Sequence, residues 1–126
     1  MKHRPKLNRA ASPEEVAVVR AALERVAAAP EFRRLTTSLE QLRVVSKCGC
    51  GCDSVDFADY DPGHPTRVIA QGTGTSAVGS LVGVMVWGTA ESVTGLEVYD
   101  LGECLDSADA RLPVPSSIRG IRDGAA

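Results

Sequence analysis

The sequence is poor in aromatic residues and in histidine, the side chain that most often carries protons in catalysis. Only 4% of the 126 residues are aromatic, and two are histidines. We find no serine, histidine and aspartate set that resembles a hydrolase triad, and no C-x-x-C pair typical of thiol oxidoreductases. We therefore expect a protein that is not an enzyme, with a core built mostly from valine, leucine and alanine.

Apolar runs of the kind used for secretion or membrane insertion are also lacking. No apolar segment suited to a signal peptide follows the basic N-terminal residues. The uncharged stretch 68–90 contains five glycines and five serines or threonines, whereas a membrane helix needs about 20 predominantly apolar residues. We expect no membrane partner. Four cysteines without a secretion signal predict reduced thiols in the cytoplasm.

Basic residues are scarce over half of the chain. The net charge is only −2, but residues 48–110 contain ten carboxylates and a single arginine. Proteins bind nucleic-acid phosphates through lysine and arginine, so we expect no nucleic-acid partner. An acidic surface suits a basic protein partner, because complementary charge speeds association, and inhibitor or immunity-type proteins use such surfaces.

Two helical segments are predicted near the N-terminus. Ser12 and Glu15 have the spacing of a capping box, and Pro13 suits the first helical position. Apolar residues then recur at helical spacing and define a core-facing stripe, namely Val16, Val19, Leu23 and Val26. A short second helical segment is predicted to end near Leu42.

After the helices the apolar pattern changes to that of strands. Five strands are predicted, over 43–48, 52–60, 67–73, 81–87 and 93–100. Short turns between strands indicate an antiparallel meander, and helices before it indicate a two-layer α+β fold. We expect one domain over 12–116, a disordered basic tail over 1–11 and a flexible tail over 117–126.

The run Cys48-Gly49-Cys50-Gly51-Cys52 is the most distinctive feature of the sequence. Sulfur ligands on one zinc ion lie roughly 3.8 Å apart, but side chains on one face of a strand are about 6.6 Å apart. The chain must therefore fold back to form a metal site, and the intervening glycines permit this. Zinc is the cofactor that this interpretation predicts, with Cys104 or His64 as the fourth ligand.

Two other interpretations of the cysteines remain open. A redox or nucleophilic thiol needs a nearby cation, and here Lys47 is the one cation beside the run, while Asp53 and Asp56 oppose it. Alternatively, the cysteines are small buried side chains that pack in a tight hairpin.

The segment Ser38–Phe57 resembles a family of small, uncharacterised bacterial proteins. Its residues match the pattern V-x-x-(K/R)-C-G-C-G-C-x-(S/T)-(V/I)-D-(L/F). These proteins also have an L-E-x-Y strand and a proline-containing tail, which correspond here to Gly95–Asp100 and Leu112–Pro115. The resemblance covers roughly residues 12–116 and implies the fold, but it implies no activity.

Three residues of the predicted last strands are candidates for an interaction surface. Trp87 and Tyr99 form an apolar patch if they share a face, and Glu97 lies in a strand with a tight apolar pattern. A set of acidic residues is a candidate to line one cleft, namely Asp53, Asp56, Asp59, Asp61, Glu97, Asp100, Glu103 and Asp106.

Protein–protein interaction is the function that we favour from the sequence, with an unidentified protein or a second copy of the chain as the partner. Zinc binding through Cys48, Cys50, Cys52 and Cys104 is the first alternative. A thiol redox sensor is the second.

Overall fold

A computed structural model describes residues 5–101 and 110–120 of the chain. It contains six strands, β1 (Lys6–Ala10), β2 (Arg43–Lys47), β3 (Val55–Asp56), β4 (Arg67–Thr75), β5 (Leu81–Gly88) and β6 (Val93–Asp100). The helices are α1 (Pro13–Val26), a 3₁₀ helix over Pro30–Gln41 and a short 3₁₀ turn over Pro115–Ser117. This architecture confirms the predicted α+β fold with an antiparallel sheet.

The six strands form one sheet in the order β1-β2-β3-β6-β5-β4. The last three strands along the chain are a meander, as predicted, but β3 pairs with β6 rather than with β4. In this pairing Val55 lies opposite Leu96, and Asp56 lies opposite Gly95. The loop between β2 and β3, which contains the cysteine run, is therefore brought beside the last strand of the meander.

Helix α1 begins at the predicted capping box. The Glu15 N–H donates to Ser12 Oγ at 3.1 Å, and the Ser12 N–H donates to Glu15 Oε1 at 2.8 Å. Both bonds satisfy N–H groups that a helix start leaves without partners. The buried stripe of α1 packs on β4 and β5, and its members are Val18, Val19, Ala21, Ala22 and Leu23.

The second predicted helical segment is a 3₁₀ helix rather than an α-helix. It starts at Pro30 and is interrupted at Ser38, whose φ of −123° is not helical. Phe32, Leu35 and Leu39 are its buried residues, so its apolar face adds to the core. None of the helices in the described residues has the length and apolar character needed to span a membrane.

Alternate residues of β5 and β6 face opposite sides of the sheet. Val82, Val84 and Val86 are buried in the core with Leu96 and Val98; we call this the covered face, because α1 packs on it. The intervening residues point away from α1 and form the open face, which includes Gly83, Met85, Trp87, Glu97 and Tyr99.

Strand β1 differs from the disordered tail predicted over 1–11. The Lys47 N–H donates to the Pro5 carbonyl at 3.2 Å, and β1 pairs with β2 in antiparallel fashion. Arg9 also donates to both carboxylate oxygens of Glu15 at 2.9 Å. Burial by itself raises the pKa of Glu15, but the hydrogen bonds from Arg9 and Ser12 outweigh burial and lower it.

Residues 117–120, the described part of the flexible tail predicted over 117–126, pack on β4. Ile118 is 2% exposed. Arg119 and Thr73 exchange two backbone hydrogen bonds of 2.8 and 2.9 Å, which cover part of the outer edge of β4. These bonds to a distant strand explain this packing, because they satisfy backbone groups that composition alone assigns to a loop.

Candidate functional site

The cysteine run forms the loop between β2 and β3. The Cys48 N–H donates to the Ser54 carbonyl at 3.0 Å and closes the base of the loop. Gly51 adopts a φ of 102°, which is the left-handed region that favours glycine. The Arg111 guanidinium donates to the Gly51 carbonyl at 3.2 Å. The chain therefore folds back at the glycine, as a metal site in a C-x-C-x-C run requires.

The three sulfur atoms of Cys48, Cys50 and Cys52 converge. All three Sγ atoms lie within 4.8 Å of one another, and those of Cys48 and Cys50 are 2.8 Å apart. Sulfur ligands on one zinc ion lie roughly 3.8 Å apart, so the three sulfurs are close enough to share an ion, although those of Cys48 and Cys50 would have to separate to bind it together. In residues 5–101 and 110–120, no other group of three cysteine, histidine or carboxylate side chains is close enough to hold one metal ion.

Backbone N–H groups of the loop point at two of the sulfurs. The Cys50 N–H donates to Cys48 Sγ at 3.5 Å, and the Cys52 N–H donates to Cys50 Sγ at 3.4 Å. Cys48 and Cys52 are buried, while Cys50 is half-buried. Hydrogen bonds to sulfur ligands orient them and tune the metal that they hold, so the loop supplies three candidate ligands and hydrogen bonds that would support two of them.

Side chains next to the run fasten the loop to two other parts of the chain. The Asp53 N–H donates to the Ala110 carbonyl at 3.1 Å, and Asp53 Oδ2 accepts from the Leu112 N–H at 2.8 Å. Ser54 Oγ donates to the Val98 carbonyl at 3.1 Å and accepts from the Val98 N–H at 2.8 Å. The Asp53 carboxylate thus anchors the loop and is not positioned as a cleft residue.

The cysteine cluster lines a cleft of about 580 Å³ on the open face. Trp87, Glu97 and Tyr99 line the same cleft, so the structure brings three of the four predicted metal ligands and the predicted interaction residues together. The pairing of β3 with β6 causes this, because it places the cysteine loop beside the strand that carries Glu97 and Tyr99.

The aromatic residues of the cleft have defined positions. Trp87 Nε1 donates to Glu97 Oε1 at 3.2 Å. Gly83 lies opposite Tyr99 on the neighbouring strand, and a Cβ atom at Gly83 would clash with the Tyr99 ring. The Tyr99 ring therefore lies directly on the backbone of β5, which only glycine permits at that point.

Three of the predicted acidic residues line the cleft, namely Asp56, Asp59 and Glu97. Ser46 Oγ donates to Asp56 Oδ2 at 2.6 Å, and Lys6 Nζ lies 2.8 Å from Asp59 Oδ1. Among the described residues that line the cleft, Lys6 is the one with a cationic side chain. A surface with more carboxylates than ammonium groups attracts cations, which suits a metal ion and a basic ligand alike.

Other residues from the sequence predictions lie elsewhere. His64 Nδ1 is 2.8 Å from Asp61 Oδ2 in an exposed turn, and neither residue lines the cleft. His64 is therefore not brought to the sulfurs. Asp100 is not among the residues that line the cleft. Cys104, Glu103 and Asp106 lie outside the described residues.

Lys6, Tyr60 and the anchoring segment 110–112 are the parts of the site that sequence reasoning missed. Lys6 meets Asp59 at a sequence separation of 53, and Asp53 meets Leu112 at a separation of 59. No local pattern marks such contacts. Tyr60 falls in the strand predicted over 52–60. Its side chain lines the cleft and is 84% exposed, a position that becomes apparent only from the arrangement of the open face.

Comparisons of the chain with protein-family models, with curated proteins and with solved structures find no match.

Proposed function

We propose that the protein binds one thiophilic metal ion, zinc in the first instance, through Cys48, Cys50 and Cys52. The convergence of the three sulfurs within 4.8 Å carries the proposal. Burial as a small apolar group explains one cysteine well, but it gives no reason for three sulfurs to meet. Thiolates are the ligands that zinc prefers in closed, structural sites.

The surroundings of the cluster support a cation rather than a reactive thiol. Asp56 and Glu97 line the same cleft as the sulfurs, so the cleft carries negative charge that attracts cations. A divalent cation offsets that charge. The two N–H···S hydrogen bonds and the anchoring of Asp53 to the Leu112 N–H hold the loop in the shape that the ion requires.

The experiment is elemental analysis of protein purified without chelators and without metal-affinity resin. We expect about one zinc ion per chain. Exchange of zinc for Co²⁺ should produce the near-ultraviolet absorption of cobalt–thiolate bonds, and its intensity increases with the number of sulfur ligands. A chain that takes up neither ion when each is supplied in slight excess under reducing conditions would contradict the proposal.

Variants assign the ligands. Cys48→Ser, Cys50→Ser and Cys52→Ser should each weaken cobalt binding and lower the thiolate absorption. Ser46→Ala is the matched control, because it removes a polar group from the same cleft without removing a sulfur, and it should bind cobalt as the parent does. Cys104→Ser tests the fourth ligand that the sequence predicts: lowered absorption would support Cys104, and unchanged absorption would exclude it.

Thiol redox sensing is a second candidate, which the 2.8 Å separation of the Cys48 and Cys50 sulfurs favours. Hydrogen peroxide would oxidise these two thiols to a disulfide, with loss of two protons and two electrons to form water. Alkylation and mass analysis after peroxide treatment test this. A Cys48–Cys50 disulfide at low peroxide, in protein that binds no metal, would favour this function over the metal centre.

A further inference from the structure

Glu97 is a cleft carboxylate for which residues 5–101 and 110–120 provide no cationic partner. It is half-buried, and its Oε1 atom accepts the indole N–H of Trp87. No lysine, arginine or histidine of the described residues forms an ion pair with it. A partly buried carboxylate loses hydration that a neutral donor such as an indole only partly replaces.

The side chains around Glu97 are suited to a flat cation. The ring of Trp87 is held by its bond to Glu97, and the Tyr99 ring is held against Gly83. Aromatic faces attract cations, and a guanidinium both stacks on such faces and pairs with carboxylates. At the same cleft, the Lys6 ammonium already pairs with Asp59 at 2.8 Å, so the cleft accommodates a side-chain cation of this chain.

We propose that this cleft receives an arginine side chain from a protein partner, with Glu97 as its ion-pair acceptor and Trp87 and Tyr99 as its aromatic contacts. This inference makes specific the protein–protein interaction predicted from the sequence, and it does not depend on the metal centre. Charge complementarity identifies the class of partner, because Asp56, Asp59 and Glu97 line a cleft to which this chain contributes Lys6.

A polypeptide suits the cleft better than a small organic cation. Tyr60 lines the cleft and is 84% exposed, so a ligand that covers only the pocket around Glu97 would leave this large ring in water. Tyrosine, tryptophan and arginine are the residues that contribute most at protein interfaces. A partner segment with an arginine at its centre would fill the pocket and cover the exposed ring.

The test is a titration with capped six-residue peptides in which glycine alternates with arginine, lysine or glutamine. Trp87 is the single tryptophan of the chain, so its fluorescence reports occupancy of the cleft. We expect saturable binding of the arginine peptide, weaker binding of the lysine peptide and no binding of the glutamine peptide. Affinity should fall as salt is added, because salt screens the charge attraction.

Calorimetry on variants locates the interaction independently of the fluorescence. Glu97→Gln should lower the affinity for the arginine peptide at least about tenfold, as expected for loss of a hydrogen-bonded charge pair. Glu91→Gln makes the same chemical change in an exposed turn outside the cleft and should leave the affinity unchanged. Equal binding by the parent and Glu97→Gln, or equal weakening in both variants, would overturn the proposal.

Two further measurements separate this inference from its alternatives. If methylguanidinium alone binds as tightly as the arginine peptide, the cleft takes a small cation and the proposed protein partner is wrong. Parent protein from which any metal has been removed with a chelator should keep its affinity for the arginine peptide within about threefold, since the two sites are proposed to be uncoupled. If this affinity is retained and the metal assay fails, the arginine proposal holds without the metal proposal.

Discussion

The two faces of the sheet are formed by the same strands but carry different kinds of side chain. On the covered face of β5, Val82, Val84 and Val86 are at most 1% exposed. On the open face of the same strand, Gly83, Met85 and Trp87 alternate with them and lie opposite Tyr99, Glu97 and Gly95 of β6. The covered face is apolar at Val82, Val84, Val86, Leu96 and Val98 and carries a carboxylate at Asp100, opposite Val82, while the open face combines aromatic rings, carboxylates and the nearby sulfurs.

This contrast indicates which residues stabilise the fold and which are available for binding. Apolar side chains removed from water contribute about 25 cal/mol per Å² of buried area, and on the covered face nearly all of that area is buried. The carboxylates of the open face contribute little in this way. Their concentration in one cleft with three thiols is the observation on which both proposals rest.

Replacing a large side chain of the core should lower the free energy of unfolding more than any other change predicted here. Phe32 is 1% exposed and lies in the core, so Phe32→Ala should lower the free energy of unfolding by about 3–5 kcal/mol through lost burial and a cavity. Urea denaturation measures this. Leu81→Ala, at a position 43% exposed, is the control and should cost less than half as much. Similar costs for both would remove the distinction between core and surface.

Removal of the metal tests whether the open face also contributes to stability. An ion at 100 times its dissociation constant stabilises the fold by about 2.7 kcal/mol, so a chelator should lower the midpoint of thermal unfolding. The decrease should be smaller at pH 5 than at pH 8, because protons compete with the ion for thiolates. A variant with serine at all three loop cysteines should show no response to the chelator; an equal response would place the ion elsewhere.

Adding a methyl group under Tyr99 should disturb the open face alone. Gly83→Ala forces the Tyr99 ring from its position and should cost about 1–3 kcal/mol of unfolding free energy. In a Tyr99→Ala background the cost should nearly vanish, which a double-mutant cycle measures. Gly95→Ala is the matched control on the same face, since its Cβ would meet atoms at 3.6–3.7 Å, an ordinary contact distance. A similar loss in both glycine variants would point to backbone propensity instead.

Loss of the ion pair between Arg9 of β1 and Glu15 of α1 should lower the free energy of unfolding least, and the size of this loss should depend on pH. The lowered pKa of Glu15 means that its carboxylate form stabilises the fold above the ordinary glutamate pKa of about 4.3. This contribution is lost as the pH falls through the lowered pKa of the folded state. Glu15→Gln should cost up to about 1 kcal/mol at pH 7 through loss of the ion pair with Arg9, and less at pH 2, where more of the Glu15 carboxyl is protonated.

Urea denaturation at both pH values measures the Glu15 effect. Glu14→Gln, at the exposed neighbouring position, is the control and should change stability little at either pH. If Glu15→Gln costs the same at pH 2 as at pH 7, the charge on Glu15 does not stabilise the fold.

Local sequence patterns predicted the parts of the fold that depend on neighbours in the chain. The capping box of Ser12 and Glu15 spans three positions, and both of its hydrogen bonds are present. The predicted strand over 93–100 has the observed bounds of β6. By contrast, the predicted strand over 52–60 shortens to Val55–Asp56, and the predicted disorder over 1–11 did not anticipate β1, because both depend on partners far along the chain.

The candidate site likewise has parts that local patterns predicted and parts that depend on distant residues. The sequence identified Cys48, Cys50 and Cys52 and the need for the chain to fold back at a glycine, because both follow from covalent spacing and from the conformational freedom of glycine. It also marked Trp87, Glu97 and Tyr99, but as a separate surface. Their meeting with the sulfurs depends on the pairing of β3 with β6, and strand order cannot be derived from the period of a strand.

Local sequence patterns account for the α+β composition, the capping of α1, the alternation of β5 and β6 and the identity of the clustered thiols. These depend on residues within a few positions of one another. Long-range packing accounts for the rest: β1 completes the sheet, Asp53 anchors the cysteine loop to Leu112, and the sulfurs, aromatic rings and Glu97 share one cleft. Such contacts join residues tens of positions apart, and they are stable only after burial of the common core offsets the entropy of bringing them together.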